Sequence, residues 1–266
     1  GPDYFLTPWI YHKFRPNKSE MVGKDVALIL DSFGGSALAA YRVARLFQQN
    51  AKSFTVIVPR IAKSAATLLA LGADEIILGE DAELGPLDVQ FQDYDTEEGR
   101  VSALDMIQAI EQLEESAIDV AMRMLTSLKE RTRKRVNILL EPSLSFAAEV
   151  TKPLFEKIDA VSYSRHHRML KEAEDYAVRL LERRRFTRTE AEALASDLVK
   201  KYSTHEFVID LEECKQLGII VDEEGKETRR VGLHAKGPAN AAIGEAIEKL
   251  YNTIGKATVF GRLVQS

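Results

Sequence analysis

At 266 residues, with 45% hydrophobic and 29% charged side chains, the chain has enough apolar material for one large α/β domain or two small ones, and too much for wholesale disorder. Its net charge of −5 argues against nucleic acid as the main partner. A single cysteine, Cys214, excludes an internal disulfide framework and a Cys-rich zinc site.

In chain order, Gly1-Pro2 reads as a scar of tag removal, and no signal-peptide pattern follows it. That leaves room for a native start, with any anchor, upstream. The expected location is cytoplasmic, or membrane-associated on the cytoplasmic side. Val26-Ala27-Leu28-Ile29-Leu30 is a short aliphatic run closed by Asp31-Ser32-Phe33-Gly34-Gly35, the pattern of a parallel strand buried on both faces. Ser36 to Gln49 carries Leu38, Tyr41, Val43, Leu46 and Phe47 at roughly helical spacing. Phe54-Thr55-Val56-Ile57-Val58 is a second buried strand, stopped by Pro59, and a right-handed crossover should join the two. Ala65 to Leu71 is a short helix and the richest apolar stretch, well below the ~18 residues needed to cross a bilayer. Glu75-Ile76-Ile77-Leu78 is a third strand.

After Asp95 the composition changes. A charged helix without Gly or Pro is predicted from Val101 to about Arg135, and Pro142 should interrupt the helical pattern beyond it. A second helix is expected from about Ala160 to Arg185. Thr187-Arg188-Thr189-Glu190 fits a capping box opening a third, to about Tyr202. A short helix over Asp210 to Leu217 ends at Gly218, with Ile219-Ile220-Val221 as a strand and a last helix near 239–254. The alternation predicts a mostly parallel α/β sheet with added helices in the second half.

The pattern richest in chemistry is Gly34-Gly35 after one strand and Lys63-Ser64-Ala65-Ala66 after the next. Paired glycines let the backbone turn sharply and aim N–H groups at a ligand. Neighbouring parallel strands end on the same sheet edge, so Gly35 and Ser64 can meet there. Ser64 as nucleophile, with N–H donors from Gly35 and Ala65, would form an oxyanion hole for acyl transfer. The ordinary alternative is a Gly-Gly loop and a serine that caps its helix. His166-His167 lie about 100° apart on a helix and read as surface residues, not as a metal pair. Arg183-Arg184-Arg185 reads as a solvated helix end. Without His-Glu-x-x-His or Cys-x-x-Cys, metal catalysis is unsupported.

Asp31-Ser32-Phe33-Gly34-Gly35-Ser36, together with the run from Ala62-Lys63-Ser64-Ala65-Ala66-Thr67 to Gly72-Ala73-Asp74-Glu75-Ile76, resembles the ClpP/crotonase superfamily. Within it the match is to the signal-peptide-peptidase-like branch called the serine dehydrogenase proteinase family. Leu84-Gly85-Pro86-Leu87-Asp88-Val89-Gln90 is similar to that family's Leu-Gly-Pro-x-Asp-x-Gln element, and His205 to Asp210, leading to Leu217-Gly218, to its His-containing segment. The resemblance covers roughly residues 25–92 and 202–222. It implies a ClpP/crotonase-like fold of stacked ββα units with a mostly parallel sheet. One domain over 1–235 would carry a helical insertion at about 100–202, and 236–266 would be a helical tail. It also implies a serine endopeptidase with Ser64 as nucleophile and Gly35 and Ala65 as oxyanion donors. The partners would be a peptide or protein substrate bound extended beside the Gly34-Gly35 edge, and further copies in a homo-oligomer. No cofactor is expected, since the dehydrogenase in the family name is a target. The helix from Val101 is either an oligomerisation arm, as the corresponding helix is in ClpP, or packs on its own domain.

The general base stays open on sequence grounds. ClpP-type enzymes order their triad Ser-His-Asp, yet no His lies within Gly85 to Phe91. The signal-peptide-peptidase type uses a later Lys, yet none lies between Ala65 and Leu128. Lys129 and Lys134 read as a solvated helix face. Lys152, in an expected loop before Pro153, and Lys157 are better placed for desolvation. His205 is the other candidate, with Asp210 or Glu206 to orient it. A catalytically inactive ClpP-like binding or assembly module and a crotonase-type acyl-CoA enzyme are the alternative functions.

Overall fold

A computed structural model describes residues 5–79, 81–88, 90–92, 100–183, 186–202, 204–219 and 234–236. The chain divides into two compact units, Gly1–Val89 with Lys171–Ser266, and Gln90–Leu170. The expected strand at 219–221 lies largely outside the described residues. So do the C-terminal helix and Arg184-Arg185.

The first unit opens with β1 (Phe5–Leu6), α1 (Ile10–Phe14), a 3-10 turn (Arg15–Asn17) and α2 (Lys18–Met21). Three repeats of a long strand followed by a short one come next. These are β2 (Asp25–Ile29) with β3 (Gly34–Gly35), β4 (Ser53–Val58) with β5 (Ile61–Ala62), and β6 (Glu75–Leu78) with β7 (Glu83–Leu84). Helix α3 (Ala37–Asn50) follows the first pair and α4 (Ala65–Leu71) the second. This is the stacked ββα pattern of the ClpP/crotonase fold.

The long strands form one parallel sheet with β10 (His234–Lys236) at its edge, in the order β10-β6-β4-β2. Leu28 pairs with Val56, and Val56 with Ile76. Phe54, Val56 and Val58 line one face of the central strand β4 and are fully buried, and Ile57 on the opposite face is buried too, which explains the continuous apolar second half of the strand. On α3, Ala39, Ala40, Val43, Ala44 and Phe47 form the buried stripe, and Phe47 stacks on Phe54 at 4.6 Å between ring centres. The short strands build a second ribbon. It runs from β1 to β3, through a Ser32–Ala62 bridge to β5 and β7, and ends where Leu84 pairs with Ile209.

In the second unit, β8 (Gln90–Gln92) and β9 (Arg100–Ser102) form an antiparallel pair. The 30-residue helix α5 (Ala103–Thr132) and α6 (Val136–Phe155) then make a helical hairpin. Ser102 caps α5 by accepting from the N–H groups of Leu104 and Asp105. Two expectations fail here: Pro142 does not break the helix, and Lys152 is helical instead of lying in a loop. A helical proline forfeits its own amide bond and strains one turn, and packing can offset that cost. Leu139, Ser143, Ala147 and Thr151, four residues apart, supply a buried seam along α6. The Ser143 and Thr151 hydroxyls donate to the Leu139 and Ala147 carbonyls, each at 2.8 Å, so the polar groups of the seam are satisfied within the helix. Ile118, Met122, Leu140, Leu144 and Phe146 are exposed.

Helix α7 (Ala160–Glu182) belongs to the first unit from Lys171 onward. It is followed by α8 (Arg188–Lys200) and α9 (Leu211–Gln216). His166 corrects the surface reading: it is buried, with Nδ1 3.0 Å from Met106 Sδ, because it faces α5, whereas His167 is exposed. Among the described residues no helix is long and apolar enough to cross a membrane.

The capping box opening α8 is complete: the Thr187 hydroxyl accepts from Glu190 N–H, and the Glu190 carboxylate accepts from Thr187 N–H. Thr187→Ala should cost about 1 kcal/mol, read as a lowered midpoint in urea unfolding with an unchanged slope.

Candidate active site

Ser64 sits between β5 and α4 with φ 51° and ψ −118°, one of two described non-glycine residues with positive φ. A side chain at such angles is strained by about 1–3 kcal/mol, and such strain collects at working sites. A sharp strand-to-helix turn of this kind lifts a serine hydroxyl clear of the backbone. The ordinary capping role fails, because Ser64 makes no side-chain bond to the amides of α4. Its hydroxyl instead donates to the backbone carbonyl of Asp88 at 2.9 Å.

Gly34 makes the turn possible. At φ 111° it lies where L side chains rarely go, and a Cβ there would stand 2.8 Å from Lys63 O and 2.9 Å from Ser64 Cβ. Gly34 therefore meets the serine turn, whereas Gly35, at φ 129°, lies against Leu6, whose carbonyl oxygen would stand 2.5 Å from a Cβ there. The N–H of Ala65 opens α4, and the first amides of a helix have no partner within it. In the β1–β3 ladder, Ser36 N–H donates to Leu6 O at 2.8 Å, so β1 occupies one edge of Gly34-Gly35, the strand beside which an extended substrate was expected.

Thr67 ties the turn to the next segment. Its buried Oγ1 accepts from Gly85 N–H at 3.1 Å and has Ala62 O (2.6 Å) and Gly85 O (2.8 Å) as acceptors for its proton. From Gly85 the chain runs to Asp88, which is only 1% exposed. His205 Nδ1 lies 3.5 Å from Asp88 Oδ2. The His205 loop is fastened at Ile209, which exchanges backbone bonds with Leu84 at 2.9 and 3.1 Å. Phe207 packs on Tyr202 at 4.5 Å, and the Tyr202 hydroxyl donates to Glu213 at 2.7 Å. Lys201 reaches the same carboxylate at 2.8 Å, and these two hydrogen bonds hold the Glu213 carboxyl below the usual range.

Asp88 is thus the acid beside His205, and it was not singled out as a site residue from sequence. Its signal was a carboxylate inside the otherwise apolar Leu84-Gly85-Pro86-Leu87-Asp88-Val89 run. The two carboxylates proposed from sequence to orient His205 are placed otherwise. Asp210 caps α9 by accepting from Glu213 N–H at 2.9 Å, and Glu206 is exposed. Lys152 is 71% exposed and faces Glu156 at 3.8 Å one turn on, without the desolvation a lysine base needs. Lys129, Lys134 and Lys157 are exposed. Among the described residues, no group of three or more His, Cys, Asp or Glu side chains is arranged to hold a metal ion.

Cys214 is buried, and burial pushes its thiol up to about 12. A thiol with a raised pKa stays protonated at neutral pH, so the native protein should resist a disulfide reagent at pH 8 and react once unfolded in guanidinium. Rapid native labelling would contradict the burial. Gly34→Ala should cost about 1–3 kcal/mol from backbone strain alone and distort the Ser64 turn, measurable as a lowered thermal midpoint.

Two uncharacterized proteins of Methanocaldococcus jannaschii are similar to the chain. One is 28% identical over 199 residues, covering 75% of this chain and 54% of its own length. The other is 41% identical over 69 residues, covering 26% of this chain and 24% of its own. The chain thus spans about half, or less, of the length of these curated relatives. A solved structure of a membrane-bound stomatin-specific protease, in a serine-to-alanine mutant form, is 19% identical with a TM-score of 0.34, covering 52% of this chain and 64% of that one. Residues 14–152 match the family described as ClpP-like SDH-type serine proteinase, a span that holds Gly34, Ser64 and Asp88 and ends before His205. With just over half of its length in that match, the chain belongs to the ClpP-like SDH-type serine proteinases.

Proposed function

We propose that this protein cleaves peptide bonds through an acyl-enzyme on Ser64, with His205 as general base and Asp88 as the residue that orients it. The observation that carries the reading is the strained, non-capping Ser64, whose hydroxyl bonds to Asp88 while the Asp88 carboxylate stands beside His205. A serine that neither caps its helix nor sits in a relaxed conformation supports a nucleophile over an acyl-CoA enzyme or an inactive binding module. The order Ser64, Asp88, His205 exchanges the second and third members of the ClpP-type sequence order.

In the first step the Ser64 hydroxyl swings off the Asp88 carbonyl and attacks the scissile carbonyl carbon, passing its proton to His205 Nε2. Asp88 faces Nδ1, the opposite ring nitrogen, and favours both the tautomer with a free Nε2 and the imidazolium that forms. The N–H groups of Gly35 and Ala65 hold the oxyanion. The carbon–nitrogen bond then breaks, and His205 returns the proton to the leaving amine. Water, deprotonated by His205, then attacks the acyl carbon, the bond to Ser64 Oγ breaks, and His205 returns the proton to Oγ to release the carboxylic acid product. A peptide or protein substrate and a homo-oligomeric assembly belong to the same reading.

A fluorophosphonate probe tests it. Ser64→Ala should abolish labelling, and His205→Ala should slow it about 10²- to 10⁴-fold, the usual worth of a general base. Equal labelling of wild type and Ser64→Ala, with unchanged peptide cleavage, would overturn the assignment.

A further inference from the structure

Lys63 is the one charged residue of the Lys-Ser-Ala-Ala element, and the proposed chemistry leaves it unused. It is only 8% exposed, although lysine is rarely buried without a partner. Its stem lies against Gly85, where a Cβ would collide with its Cδ. Its ammonium meets Glu83 Oε1 at 2.7 Å, Phe207 O at 3.2 Å and Leu84 O at 3.3 Å. Three donors meet three acceptors, so the buried charge is fully satisfied.

The placement of those acceptors is what matters. Glu83 and Leu84 form β7, which leads directly into the segment ending at Asp88. Phe207 is two residues after His205. One ammonium therefore joins the backbone beside Ser64 to the segment leading to Asp88 and to the loop carrying His205. We infer that Lys63 is a positioning residue, which sets the distance between the His205 loop and the Ser64–Asp88 turn. A methionine could fill the space but has no donor with which to bond the Leu84 and Phe207 carbonyls together. This inference rests on Ser64 and His205 acting as proposed above.

The test is the second-order rate of fluorophosphonate labelling, measured across pH at equal folded fraction. Lys63→Met should slow labelling about 10- to 100-fold, the scale of a 1 Å misplacement, and flatten its pH profile. Lys63→Arg, which keeps the charge and the donors, should recover most of the rate. If Lys63→Met leaves Glu83 unpaired and unfolds the protein, Lys63→Met combined with Glu83→Gln removes both charges and should still label slowly. Wild-type labelling and an unchanged pH profile in either folded variant would overturn the inference. Labelling of Ser64→Ala would instead overturn the serine reading, so the two failures are distinguishable.

Discussion

The constraint on which the site depends is a backbone one: Ser64 must hold φ 51° in a residue that has a Cβ. That conformation persists only because its surroundings over-determine it. Gly34 leaves room for the Ser64 Cβ, Thr67 bolts the first turn of α4 to Ala62 and Gly85, and the Asp88 carbonyl holds the hydroxyl. These contacts come from three successive strand-pair repeats, so the turn is set by the stacking of the fold and not by local sequence alone.

The parallel sheet is what brings the repeats into line. Because β2, β4 and β6 run side by side, the short strands that follow them also stack, and Gly34, Ser64 and Gly85 become neighbours. The last partner arrives from far along the chain, through the Leu84–Ile209 pairing. The candidate site is assembled from segments joined by backbone bonds, and buried Lys63 adds a charged link to Glu83, Leu84 and Phe207.

Much of this was legible in the sequence. The apolar runs at Val26, Phe54 and Ile76 read as strands and form them, but burial on both faces is reached only in the second half of β4; in β2 Leu28 alone is buried, and β6 buries one face, at Ile76 and Leu78. The Thr187–Glu190 box is a purely local signal and appears as expected. Three features were not legible, each for a physical reason. Helix α6 was hidden because its two prolines carry a local penalty, while the seam of Leu139, Ser143, Ala147 and Thr151 that offsets it acts only in the folded hairpin. His166 was misread because its burial depends on Met106, 60 residues away. Asp88 escaped attention because a carboxylate in an apolar run has no partner visible at short range, and His205 comes close only through tertiary structure.

Asp88 serves the site twice, through its main chain toward Ser64 and through its side chain toward His205. A single segment, Gly85 to Asp88, therefore carries both alignments. With Ser64 and His205 as the nucleophile and base proposed above, a shift of that segment would disturb both together, and substitutions at Ser64, Asp88 and His205 would act as one coupled unit rather than independently. The seating of one short segment against the serine turn is where both contacts are decided.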